Sequence, residues 1–165
     1  MNAMLRLPGH SDYETIATWI ADAASCARWA GPKLRYPFSP VELQTMLSSV
    51  NGLAGGASYC LADASDACAS PLGFGQHWVA TPGAVHLGRI IISPLARGKG
   101  LGRTFCTLLM AQAIQATNAA TVSLRVYRDN APALALYASL GFVAEEADSS
   151  DEILFMRADA APPID

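Results

Sequence analysis

An apolar, β-branched run at residues 85–92 and a helix-like apolar segment at residues 101–116 flank Arg97, Gly98, Lys99, Gly100, Leu101 and Gly102. A strand that ends at a glycine-rich turn and opens directly into a helix constrains this chain more than anything else in it. Such a turn makes an anion site: the glycines let backbone approach a ligand closely, and the helix start points unpaired N–H groups at it. Phosphate or pyrophosphate is the natural guest. The run is not a P-loop, because Leu101 follows Gly100 where that motif has its lysine. Nor is it the dinucleotide fingerprint, since Gly98, Gly100 and Gly102 alternate strictly and no βαβ start surrounds them. A turn that simply needs positive φ is the plain structural alternative.

A second motif lies downstream: Asn130, Ala133, Tyr137, Gly141 and Phe142. With Pro94, Arg97, Gly100 and Gly102, these residues resemble the GNAT acetyltransferase family, closely over residues 72–158 and loosely before them. There, Arg/Gln-x-x-Gly-x-Gly/Ala cradles the pyrophosphate of acetyl-CoA, and Asn-x-x-Ala-x-x-x-Tyr-x-x-x-Gly-Phe lines the pantetheine arm and supplies a tyrosine near the thioester. The resemblance implies that N–H groups of Gly98, Lys99, Gly100, Leu101, Gly102 and Arg103 face the pyrophosphate, with Arg97 beside them. It also implies that Ile90, Ile91 and Ile92 offer backbone groups to the pantetheine as an added strand would, with Asn130 nearby. The implied fold is α/β (α+β): a mixed, mostly antiparallel central sheet of six to seven strands flanked by about four helices.

Size and composition fit one enzyme domain. The chain has 165 residues, 52% hydrophobic and 15% charged, enough for a real core. Its net charge is −3 and it has no Lys/Arg block, so no nucleic-acid partner is expected. Cys26, Cys60, Cys68 and Cys106 are scattered without zinc or redox spacing; they read as reduced thiols, and no metal is expected. Neither a signal peptide nor a membrane span is apparent, which leaves the cytoplasm as the expected location.

The local pattern divides the chain. Residues 4–7 suggest a strand, and Ser11 or Asp12 a cap for a helix carrying Ile16, Trp19 and Ile20. Residues 30–38 are irregular, pinned by prolines. Ser39 caps a helix with Pro40 at its first position, ending near Asn51 and Gly52. Strands are expected at 57–62, 72–80 and 84–92, the last two joined by a turn at Pro82 and Gly83. After the long helix come a strand at 121–127, a helix at 131–140 stopped by Gly141, and a hairpin of 142–146 with 152–157. Residues 1–158 are expected to form one domain and 159–165 a loose tail.

Tyr137 is the preferred general acid, by the resemblance and because a phenol is protonated at neutral pH; by helical spacing alone it would simply pack. His86 is the candidate base: it stands where histone-type members carry a catalytic glutamate, and imidazole suits the task. Strict alternation places His86 with Gly88, Ile90 and Ile92 on one strand face, unless a bulge changes the count. A structural histidine is the alternative, and His77 is weaker still. Ribosomal-protein N-terminal acetyltransferases of the family place a glutamate where this chain has Arg125, which favours a small-molecule acceptor over a protein N-terminus. Trp29 and Tyr36, set among Arg28, Lys33 and Arg35, are candidates for the acceptor pocket or for a loop buried on the core.

The function expected is acetyl-CoA-dependent N-acetyl transfer to a primary amine by direct attack in a ternary complex. No cysteine sits in a Cys/His arrangement for an acyl-enzyme. The alternatives are a non-catalytic acyl-CoA sensor and an acyltransferase with another donor or acceptor. An exposed strand near the C-terminus leaves a homodimer open.

Overall fold

The computed structural model describes residues 1–160, in the order β1 (Ala3–Arg6), α1 (His10–Ala17), α2 (Ala23–Ala30), α3 (Pro40–Ser48), β2 (Ala57–Asp63), β3 (Gly73–Thr81), β4 (Ala84–Ile92), α4 (Leu101–Thr117), β5 (Thr121–Tyr127), α5 (Ala131–Ser139), β6 (Val143–Ala144) and β7 (Ile153–Asp159). One seven-stranded sheet runs β1-β2-β3-β4-β5-β7-β6. Every pairing is antiparallel except β4 with β5, which α4 links as a crossover.

Local chemistry explains most boundaries. Ser39 accepts from the Glu42 N–H at 3.1 Å and Glu42 accepts from the Ser39 N–H at 3.3 Å, a reciprocal cap ahead of Pro40. Gly100 opens α4 at φ 76°, and Gly141 follows α5 at φ 96°. The expected start of α1 is corrected: Gly9 is the N-cap, and Asp12 lies inside the first turn, accepting from the Gly9 N–H at 2.6 Å. Trp19 and Ile20 fall beyond the end of α1 at Ala17. Helix α2 was not anticipated; Asp22 caps it by accepting from the Ser25 N–H at 2.7 Å. The expected strand at 142–146 shrinks to Val143–Ala144, with a 3-10 turn at Glu146–Asp148. Asp159, assigned to a loose tail, is the last residue of β7 and pairs with Thr121; the rest of that tail beyond residue 160 lies outside the described residues.

Two cores lie on opposite faces of the sheet. Val85, Leu87, Val122, Leu124, Leu154 and Met156 pack with Leu101, Phe105 and Leu109 of α4. Phe74 and Cys60 pack with Ile16, Leu43 and Leu47 of α1 and α3. No helix among the described residues is long and apolar enough to cross a membrane.

Candidate active site

Strands β4 and β5 pair only over Ala84, Val85 and His86 against Thr121, Val122 and Ser123. Beyond that rung they part. The register of β4 on β3 slips between Phe74 and Gln76, and Arg89 sits there at φ 52°, a left-handed conformation unusual for a residue with a side chain. The extra residue changes the strand's parity. Ile90 and Ile92 pack with the α4-side core beside Leu87, whereas Ile91 packs with the opposite core. The strict alternation that grouped His86 with Ile90 and Ile92 is therefore corrected by this bulge.

The parted strands open a cavity of about 470 Å³. Its wall includes His86, Gly88, Arg89 and Ile90 of β4; Arg125 and Tyr127 of β5; Asn130 and Tyr137; and Arg28, Trp29 and Lys33 from α2 and its exit. Helix α2 spans one end. The Arg28 guanidinium stacks 4.3 Å from the centre of the Tyr127 ring and its Nη2 pairs with Asp129 at 2.7 Å.

Tyr137 is half-buried, with its hydroxyl toward the Cys106 sulfur of α4. Burial first, and then that sulfur, push the phenol well above its ordinary pKa, so it is protonated at any neutral pH. Burial likewise pushes the Cys106 thiol up to about 12, leaving no thiolate to act as a nucleophile. His86 donates to or accepts from Ser123 Oγ through Nδ1 at 2.8 Å, stacks on Phe155 and has Trp78 tilted against its other side. Burial, then the nearby charge of Arg125, lowers its pKa to about 4.

The glycine loop stands outside the cavity wall, at the start of α4. Gly98 and Gly100 both have φ 76°, and a side chain at either would meet open space within 4 Å, so the loop's backbone faces outward unobstructed. Leu101, Gly102 and Arg103 form the first turn of α4, whose N–H groups have no intrahelical acceptors. The same turn packs on α5. A Cβ on Gly102 would lie 3.5 Å from Leu136, and Arg103 donates to Ser139. The loop and Tyr137 thus belong to one α4–α5 unit. Arg97 donates through Nε to the Ile92 carbonyl at 3.2 Å, tying the loop to the end of β4. Exposed backbone and cationic flanks of this kind suit an anion such as a phosphate.

Of the residues anticipated from sequence, His86, Ile90, Asn130, Tyr137 and Trp29 meet in the cavity wall. Ile91, Ile92 and Tyr36 do not. Tyr36 instead donates to the Ala21 carbonyl at 3.0 Å and packs edge-on against Phe38, anchoring its loop. Asn130 also caps α5, accepting from the Ala133 N–H at 3.3 Å. His77 is buried against Gly55 and Tyr59, away from the wall. Sequence reasoning missed Arg89 and Trp78; Gly88 inside a strand was the one signal of a bulge or close approach there. A Cβ on Gly88 would stand 2.4 Å from the Trp78 ring.

A family model described as the acetyltransferase (GNAT) family matches residues 23–142. The fold is similar to that of spermidine N-acetyltransferase from Vibrio cholerae in complex with CoA and spermine, with a TM-score of 0.78 and 19% identity over 96% of this chain and 95% of that one. It is also similar to PaiA N-acetyltransferase from Thermoplasma acidophilum in complex with coenzyme A, at TM-score 0.71 and 17% identity over 97% of this chain and 100% of that one. AAC(6')-Ib in complex with ribostamycin and coenzyme A matches at TM-score 0.73 and 18% identity, over 96% of this chain and 94% of that one.

Proposed function

The chain belongs to the acetyltransferase (GNAT) family, and from that premise we propose that it transfers an acetyl group from acetyl-CoA to a primary amine by direct attack in a ternary complex. The observation that carries this reading is the parting of β4 from β5 after His86, which opens a cavity reaching Tyr137. Acetyl-CoA supplies a thioester carbonyl to the cleft and a pyrophosphate to the loop at Gly98, Gly100 and the first turn of α4. Backbone N–H groups hold the pyrophosphate, with Arg97, Lys99 and Arg103 as its cationic rim. The freed edge of β4 at Ile90, Ile91 and Ile92 offers backbone groups to the pantetheine arm.

In the reaction a neutral amine nitrogen forms the new bond to the acetyl carbon, and the C–S bond breaks. Tyr137 donates its proton to the departing sulfur; burial keeps the phenol protonated at pH 7 but also makes it a weak acid, so the proton moves only as negative charge builds on the sulfur, and solvent then reprotonates the phenolate. The amine's surplus proton passes to His86 or to water. His86 is neutral at pH 7 and so able to accept, but at a pKa of about 4 it is a weak base, which favours water as the final acceptor. The high pKa of the Cys106 thiol argues against an acyl-enzyme. Three buried cysteines without disulfides fit a cytoplasmic setting. The exposed edge strand β6 leaves a homodimer as a reasonable assembly.

Two measurements test the reading. Acetyl-CoA binding is followed by calorimetry, and free thiol release is followed with a panel of amines. Amine-dependent release that collapses in Tyr137→Phe supports the transferase. Tight binding with no release from any amine would point instead to an acyl-CoA sensor, and absence of binding would refute the proposal.

A further inference from the structure

The cleft is cationic in an acidic protein. The chain carries a net charge of −3, yet the cavity wall holds Arg28, Lys33, Arg89 and Arg125 and no Asp or Glu. Arg28 is matched by Asp129. Among the described residues, Lys33, Arg89 and Arg125 have no carboxylate within ion-pair distance. These cations lie on α2, its exit, β4 and β5, whereas Arg97, Lys99 and Arg103 stand at the glycine loop. Arg125 is exposed, donates through Nη1 to the Asp148 carbonyl at 3.1 Å and lies over the Phe155 ring, contacts that leave its charge without a counter-ion. The phosphate end of the donor therefore leaves the charges of the cleft unmatched.

Arg89 is the most constrained of them. Its backbone is left-handed at φ 52°, which is disfavoured for any residue with a Cβ. Its Nη1 donates to Gln76 Oε1 at 2.7 Å. Gln76 is fully buried, and its Nε2 is already committed to the Leu47 carbonyl at 2.8 Å and Ser58 Oγ at 2.9 Å. The amide is thereby fixed with its oxygen toward the guanidinium. Trp78 flanks Arg89, its ring centre 5.5 Å from Cζ, and the buried Nε has no partner. A half-buried cation held in place by a neutral amide, with its Nε buried and unpartnered and no counter-charge beside it, is stabilised by a ligand that supplies one.

We propose that the amine acceptor carries a carboxylate, held by Arg89 with Lys33 and Arg125 while its amine faces the thioester. The inference rests on the acetyl-transfer reading above. A guanidinium matches a carboxylate in geometry as well as charge. The same cations disfavour the ammonium form of a nearby amine and so help supply the neutral nucleophile that a weak base such as His86 does not. Polycations such as the spermine bound to a structural neighbour would meet like charges here.

The test compares amino acids with their own carboxamides, alongside spermine and ribostamycin, in acetyl-CoA-dependent thiol release. Calorimetric binding of each to the CoA-loaded protein is the second readout. The carboxamide has the less basic amine, so without carboxylate recognition it would react at least as fast at pH 7.5. The expected result is that at least one acid exceeds its carboxamide in kcat/KM by tenfold or more, on the scale of sites built around a specific polar partner (~10-fold upward). Arg89→Gln should bring that ratio toward one; should it not fold, the pair Lys33→Gln and Arg125→Gln serves the same purpose. Equal or better use of carboxamides or spermine overturns the inference while leaving the transferase standing. Failure of every acid to bind the CoA-loaded protein overturns it too. Failure to bind acetyl-CoA at all sinks the underlying reading instead.

Discussion

The side chains of His86 and Ser123 meet at 2.8 Å on the last rung at which β4 and β5 still pair. That contact closes the bottom of the cleft. Below it the parallel strands are laced together; above it Arg89 bulges out and the strands diverge around the cavity. Phe155 of β7 stacks on the imidazole and Trp78 of β3 leans against it at a tilt of 48°, so the ring is a structural keystone as well as part of the wall.

The buried imidazole gives a pH dependence with a definite sign. Its pKa falls from 6.5 to about 4 on folding. Between those values the unfolded chain binds a proton at this ring and the folded chain does not, so stability falls as pH drops from about 6.5 to 4. Full expression of the shift corresponds to roughly 3 kcal/mol. Denaturant melts at pH 7 and 4.5 should show wild type losing more stability than His86→Gln across that interval. Equal losses would mean the ring keeps its proton in the fold.

Tyr137→Phe isolates the acid. The substitution keeps the ring that packs edge-on against Phe142 and removes only the hydroxyl beside Cys106. We expect kcat to fall by about 10²–10⁴, with acetyl-CoA binding changed little. Because the phenol is pushed above its ordinary pKa, the wild-type rate profile should show no loss from Tyr137 ionising below about pH 10. A kcat unchanged in the variant would assign protonation of the thiolate to water.

What could be read from sequence follows from where the signals are local. Ser39, Pro40 and Glu42 spell a helix start within four consecutive positions, and β4, the glycine loop and α4 follow one another in the chain. The bounds of β5 were legible for the same reason. Helix α2 was not: it is only eight residues long and four of them are alanine, so its apolar side, Cys26, Trp29 and Ala30, is too short a pattern to stand out. The cleft was not either. Its shape depends on where β4 stops pairing with β5, strands separated by a whole helix, and on a bulge whose only local sign is Gly88 before Arg89. Aromatic residues alone did not say that Trp29 turns to the cavity while Tyr36 binds back to Ala21.

The loop glycines separate backbone strain from ligand contact. Gly100 and Gly83 share positive φ, 76° and 79°, and a Cβ at either meets nothing within 4 Å. Alanine at each should therefore cost a similar ~1 kcal/mol of stability. Only Gly100→Ala should also raise the Kd for acetyl-CoA, because only that turn faces the pyrophosphate in the proposed complex. Calorimetry on both variants checks this, and an equal effect on binding would remove the loop from the donor site.

Arg6 and Asp12 tie β1 to α1 far from the cleft, through paired contacts of 2.6 and 2.8 Å. Burial would raise the Asp12 carboxyl, but hydrogen bonds from Arg6 and the Gly9 N–H outweigh it and hold its pKa below the usual range. Its contribution is thus present above the unfolded-state pKa and lost as pH falls through the folded one. Asp12→Ala strands a largely buried guanidinium and should cost about 3 kcal/mol. In a double-mutant cycle with Arg6→Ala, the second substitution should cost much less than it does alone. Urea melts of the four proteins measure the coupling. Strict additivity would show that the pair contributes nothing beyond its separate packing.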